Sequence, residues 1–210
     1  MSDHGYAAIA RSADAEIEAR RSRFLAHAER VEDEDAARAV IATARRDHLD
    51  ARHHCSAYVL GPDRALQRSS DDGEPAGTAG APILAAIDQV RVSDVVVVVT
   101  RWFGGTLLGT GGLVRAYGDA ARAALAVAGR IGRTRAVRVE VVVGHHQAGR
   151  VETELRAAGR QVVDARYDAS GVVLTLLVGA ARVDTLTAEI AALTGGTARV
   201  TAGESTWIDG

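Results

Sequence analysis

Residues 95–100 read Val-Val-Val-Val-Val-Thr, and the stretch behind them carries five glycines between positions 104 and 112. A run with no polar alternation cannot be a half-solvated strand. It marks a central strand covered on both faces. The glycine-rich segment and the amphipathic positions Leu113, Val114, Tyr117, Ala121, Ala124 and Leu125 then predict strand, loop and helix in that order, the helix ending before Gly129. A chain built around such a unit is a layered α/β or α+β protein.

The flanking segments extend this reading. Glu16 to Arg30 is strand-like, broken near Arg21-Ser22. Ala37, Val40, Ile41 and Ala44 fall on one helical face, with acids at 32–35 in the first turn and Arg45 and Arg46 in the last, as the helix dipole favours. His54 to Leu60 reads as a strand closed at Gly61-Pro62-Asp63. A polar loop, Ser69 to Gly80, leads into a short helix with Pro82 near its start. Gly129 to Thr134 reads as a linker. Beyond it, alternating Val137, Val139, Val141 and Val143 open a βαββαβ order: helical stripes at Ala148 to Ala158 and Val183 to Leu193, strands at 161–167, 172–178 and 197–207. That order is the ferredoxin-like split unit. The expected division is 1–130 and 135–210.

Composition narrows the function classes. The 210 residues carry 25 basic and 27 acidic side chains, a formal charge of −2, and every base is Arg. A chain without Lys performs no lysine Schiff-base chemistry and has no Walker lysine. No global charge advertises nucleic acid or anionic membrane. The single Cys excludes an internal disulfide and an all-cysteine zinc site. The N-terminus has no apolar core of signal-peptide length and no run approaches a membrane span, so a cytoplasmic protein without membrane contact is expected.

Two stretches carry candidate chemistry. In the first, Arg101, Trp102, Phe103, Gly104, Gly105, Gly109, Gly111, Gly112 and Arg115 lie between a buried strand and a helix. Free backbone N–H groups at a helix N-terminus suit an anion, the two arginines add donors, and the aromatic rings offer stacking faces. The competing reading is that the glycines only permit positive φ and close packing. In the second, Asp71, Asp72 and Glu74 are either a metal or acid–base site or, the favoured reading, the caps of turns and of the following helix. His53-His54-Cys55 opens a strand on which His53 and Cys55 share a side and His54 does not. No orienting partner is identifiable there, and the thiol reads as buried and inert. His145-His146 and Trp207 read as structural.

Taken together, HHCSAYVLG, SSDDGEPAGTAGAPIL and VVVVTRWFGGTLLGTGGLVRAYGDAARAAL resemble the YigZ/IMPACT family, and the resemblance covers nearly the whole chain. It implies an α+β protein: an N-terminal domain of the ribosomal protein S-five domain-two-like type, with helices on one side of a sheet, and a C-terminal ferredoxin-like βαββαβ domain similar to one in elongation factor G. It also implies a link to translation, since the eukaryotic relatives are translational regulators acting through protein contacts in the amino-acid-starvation response. They do so partly through an N-terminal domain for which this chain has no residues before the shared one.

The expected function is therefore a non-enzymatic, translation- or stress-associated protein that binds RNA or a ribosome-associated partner through the glycine-rich loop. No cofactor or metal is expected, and a homodimer is possible. The alternative is a metal-dependent hydrolase or phosphotransferase working in a cleft between residues 71–74 and 104–112.

Overall fold

The computed structural model describes residues 5–210, which divide into two units, Gly5–Gly132 and Arg133–Gly210. In the N-terminal unit the elements are β1 (Tyr6–Ile9), β2 (Ala13–Ala19), β3 (Ser22–Arg30), α1 (Glu34–Asp47), β4 (His53–Leu60), β5 (Leu66–Ser70), α2 (Gly80–Val90), β6 (Val95–Trp102) and α3 (Thr110–Ala128). The main sheet runs β2-β3-β6-β4-β5, with every neighbouring pair antiparallel.

The valine run sits at the centre of that sheet, between β3 and β4. Val95, Val97 and Val99 enter a core with Phe24, Ala26, Cys55, Ile83 and Tyr117, under α2 and α3. Val96 and Val98 turn the other way and pack with Val31, Ala37, Tyr58 and Leu60 under α1. Complete burial of each valine contributes about 1.5 kcal/mol or more, which is why this segment needs cover on both sides. Helices therefore lie on two faces of the sheet, where the family resemblance implied one. The unbroken apolar run leaves no polar face for solvent.

Local signals set the element ends. Asp33 caps α1 by accepting the Ala36 N–H at 2.7 Å, with Glu34 and Asp35 in the first turn and Arg45 and Arg46 in the last. The β2–β3 connection is the two-residue turn Arg20-Arg21, at φ 48° and 68°. That is the left-handed region a type I′ hairpin uses, normally supplied by Asn or Gly. Two strands escaped the sequence reading. β1 is only four residues long, and β5, Leu-Gln-Arg-Ser-Ser, is an edge strand too polar to show a period.

The chain continues with β7 (Arg130–Val143), whose first three residues still belong to the N-terminal unit, and the C-terminal unit goes on with α4 (His145–Ala157), β8 (Gln161–Asp168), β9 (Gly171–Gly179), a 3-10 turn at Ala180–Arg182, α5 (Val183–Thr194) and β10 (Arg199–Asp209). Residues 130–134, expected as a linker, are already strand at the start of β7. The order β10-β7-β9-β8, antiparallel throughout, is the ferredoxin-like arrangement. One face of the sheet (Val139, Val141, Val143, Leu174, Leu176) packs on Val151 and Leu155 of α4 and on Leu186 and Ile190 of α5. His145 opens α4, as the sequence indicated.

Candidate functional site

The two glycine-bearing stretches meet in the N-terminal unit. Arg101, near the end of β6, points into the molecule, and its Nη1 donates to Glu74 Oε1 at 2.6 Å. Both side chains are at least nine-tenths buried, at 7% and 4% exposure. Tyr117 of α3 donates its hydroxyl to the same oxygen at 2.7 Å. The tyrosine ring meets Phe24 edge-on with centroids 5.2 Å apart. Burial pushes the Tyr117 phenol far above its ordinary range, and the neighbouring Cys55 and Glu74 push the same way. One ion pair and one neutral phenol donor on the same buried carboxylate oxygen make a polar knot inside the core.

Arg101 is consequently not an anion receptor. Its guanidinium is buried and turned inward, with Nη2 near Ser22 Oγ at 3.5 Å, Cζ lying 5.5 Å from the centre of Phe24, and Nε buried without a hydrogen-bond partner. The Gly104 amide is also taken, donating to Ser22 Oγ at 3.2 Å. Gly104 passes so close to the β2–β3 turn that a Cβ there would stand 1.9 Å from the Arg21 carbonyl oxygen. At this position the packing reading of the glycines holds.

The acidic loop is saturated in the same manner. Asp71 accepts N–H groups from Gly77, Ala79 and Gly80 at 2.8, 2.9 and 2.8 Å. Partial burial raises its pKa, but the three amides outweigh that and leave it below the usual carboxylate value. Asp71 thus caps α2, whose own N-cap, Ala79, has no side-chain acceptor. Asp72 accepts the His54 N–H at 2.7 Å and pairs with Arg45 at 2.6 Å. His53 Nδ1 lies 2.9 Å from the Asp72 carbonyl oxygen. Among the described residues no cluster of three or more His, Cys, Asp or Glu side chains could hold a metal ion. Cys55 donates to the Asp71 carbonyl at 3.0 Å, and burial pushes its thiol up to about 12.

What stays open lies at the start of α3. Gly109, at φ 74°, is its N-cap and supplies no side chain to it. The first intrahelical bond is Leu113 N–H to Gly109 C=O at 3.0 Å, so the N–H groups of Thr110, Gly111 and Gly112 belong to the unpaired first turn. They border a recess of about 640 Å3 lined also by Arg20, Arg115, Glu18 and Asp119. Arg115 is exposed. Arg20 donates to the Leu107 carbonyl at 3.2 Å.

Sequence reasoning missed Arg20, which sits 87 positions from Leu107. Its only local signal was the hairpin break. Phe103 and Leu107 are 50% and 79% exposed on the glycine-rich loop, outside the lining of this recess. Trp102 does not present a free ring: Arg23 Cζ lies 3.7 Å over it, His48 meets its edge, and its Nε1 donates to Asp50 at 2.8 Å.

This geometry is carried by a chain whose residues 20–125 match the Impact N-terminal domain and whose residues 141–197 match a domain of unknown function, DUF1949. The IMPACT family member YvyE of Bacillus subtilis is 34% identical over 98% of this chain and 94% of its own length. The chain belongs to the IMPACT family. The family member YigZ of Escherichia coli is 41% identical over 83% of this chain and 86% of its own. Protein IMPACT of Rattus norvegicus is 40% identical over 45% of this chain, and the match spans 31% of the rat protein. A crystal structure titled only as a hypothetical protein aligns at a TM-score of 0.66 with 34% identity, covering 96% of this chain and 98% of the other. The α+β class and the two-domain family architecture follow directly. No helix of the described residues is long and apolar enough to cross a membrane.

Proposed function

We propose that this IMPACT-family chain is a cytoplasmic, translation-associated regulatory protein that binds the phosphate backbone of RNA, free or ribosomal, at the N-terminus of α3. The observation that carries this reading is the uncapped first turn of a 19-residue helix, opening on a recess flanked by Arg20 and Arg115. Amides at the positive end of a helix dipole, joined by two guanidinium groups, form a receptor for a monoanionic or dianionic oxygen cluster. Ile17 and Leu108 supply apolar contact in its wall. Compared with the expectation from sequence, Arg20 replaces Arg101 as the second arginine.

The hydrolase alternative needs free carboxylates. Asp71, Asp72 and Glu74 are each engaged by internal donors, and among the described residues no group of three or more His, Cys, Asp or Glu could hold a metal ion.

Fluorescence titration of a single-stranded RNA oligomer at several salt concentrations tests the proposal. Binding should weaken with salt, and Arg115→Ala should lower the log–log slope by about 0.7, the loss of one phosphate contact on a single strand. Unchanged affinity and slope in Arg20→Ala and Arg115→Ala would remove it.

A further inference from the structure

On the opposite side of the sheet, α1 covers only part of the surface. It packs over Val96 and Val98 of β6 and over Tyr58 and Leu60 of β4, and leaves β3 and the edge strand β2 without a helix. The uncovered half forms a groove of about 910 Å3 running beside α1. Leu25 and Thr100, cross-strand partners in β3 and β6, form its floor.

The wall is one side of α1, with Ala36, Ala39, Val40, Thr43 and Ala44 at i, i+3, i+4, i+7 and i+8. Side chains this small let a second helix approach to the 8–10 Å axial separation of packed helices. The rim is acidic. Asp14 and Glu29, 66% and 41% exposed, flank His27 with contacts of 2.8 and 3.0 Å, and Asp47 closes the α1 side. Arg30 lies at one end, with its Nη2 turned to the Ile9 carbonyl at 3.1 Å. At the other end His48 meets the Trp102 ring.

We propose that this groove docks a basic amphipathic α-helix of a partner protein, its apolar stripe on Leu25, Ala39 and Val40 and its Lys or Arg side chains on Asp14, Glu29 and Asp47. The occupant's charge follows from the rim, where Asp14, Glu29 and Asp47 outnumber Arg30, the one arginine of the lining, and where His27 is shared between Asp14 and Glu29. Its shape follows from the vacancy in the helix layer, which is bounded along one side by a helix and underneath by a sheet. The apolar wall and floor supply anchor pockets at the spacing of one helical face. The surface is independent of the α3 recess, which lies across the sheet.

The test uses the full chain, isotope-labelled, with a synthetic 18-residue Leu/Lys peptide carrying Leu at i, i+3, i+4 and i+7. A Leu/Glu peptide of the same pattern is the control. The Lys peptide should shift the amide signals of Leu25, His27, Ala39, Thr43 and Thr100, and the Glu peptide should bind at least tenfold more weakly. Ala39→Arg, at an exposed helix position that leaves the core untouched, and Glu29→Lys should each weaken the Lys peptide at least tenfold. Shifts centred on Gly109 to Gly112, equal affinity for both peptides, or native affinity in both variants overturns the proposal. Sedimentation of the chain alone completes it: self-association abolished by Ala39→Arg assigns the groove to a second copy and likewise overturns it.

Discussion

Arg101 and Glu74, 27 positions apart, form an ion pair at 2.6 Å with almost no solvent on either side chain. The pair ties the end of the central strand to the loop before α2, and Tyr117 adds α3 to the same oxygen. Removing one partner leaves a buried charge without compensation, which costs about 3–5 kcal/mol. Arg101→Leu and Glu74→Gln should each lower unfolding free energy by about that amount in urea titration, and Tyr117→Phe by about 1 kcal/mol. A loss below 1 kcal/mol for Arg101→Leu would show that the knot is not ionic.

Cys55 should behave as a buried apolar side chain. With its thiol pushed up to about 12, roughly one molecule in ten thousand is thiolate at pH 8. Iodoacetamide labelling of the native protein should therefore proceed only at the rate of unfolding, and urea should accelerate it by orders of magnitude. Rapid stoichiometric labelling without denaturant would contradict this burial.

Asp71 and His27 should shape opposite limbs of the stability–pH curve. The Asp71 pKa is lowered on folding, so its contribution is complete above the ordinary aspartate value and lost as pH falls through the folded value. Asp71→Ala should cost about 1–2 kcal/mol at neutral pH, the usual loss for a removed helix cap, and flatten the acid limb. For His27, desolvation lowers the pKa, but hydrogen bonds and charge from Glu29 and Asp14 outweigh it and the net shift is upward. Its contribution is then complete below the ordinary histidine value and declines as pH rises through the folded value. His27→Gln should abolish that decline, as read by thermal melts between pH 5 and 9.

Two glycines of the same loop should differ sharply. Gly104→Ala forces a methyl group into the Arg21 carbonyl, and should destabilise by about 2–3 kcal/mol or displace the β2–β3 turn. Gly111 has nothing within 4 Å of its added Cβ, and Gly111→Ala should be neutral or stabilise α3 by up to about 1 kcal/mol. Equal losses at both sites would refute the close-approach account.

Much of the fold was written in periodicity. The five valines demanded cover on both faces, and α1 together with α2 and α3 provides it. Asp33, the acids behind it and Arg45-Arg46 marked both ends of α1, because capping and dipole effects act within a single turn of chain. The alternation at Val137 to Val143 and the helical stripes after it gave the βαββαβ order. The ordered glycine and arginine signature carried the family.

Tertiary structure alone decided which charges were free. Strand period puts Arg101 in phase with Val95, Val97 and Val99, but only the tertiary structure shows that Glu74 seals it there while Arg115 faces solvent beside the α3 amides. Arg20 reached that recess only because a hairpin folds back onto a loop 87 residues away. The acidic rim around His27 arose only once β2 and β3 paired and α1 stopped short of them. Periodicity reports the preference of a face for water over a few turns of chain. Pairing of charges depends on through-space distances of about 3 Å between distant segments, and those distances exist only after the layers have packed.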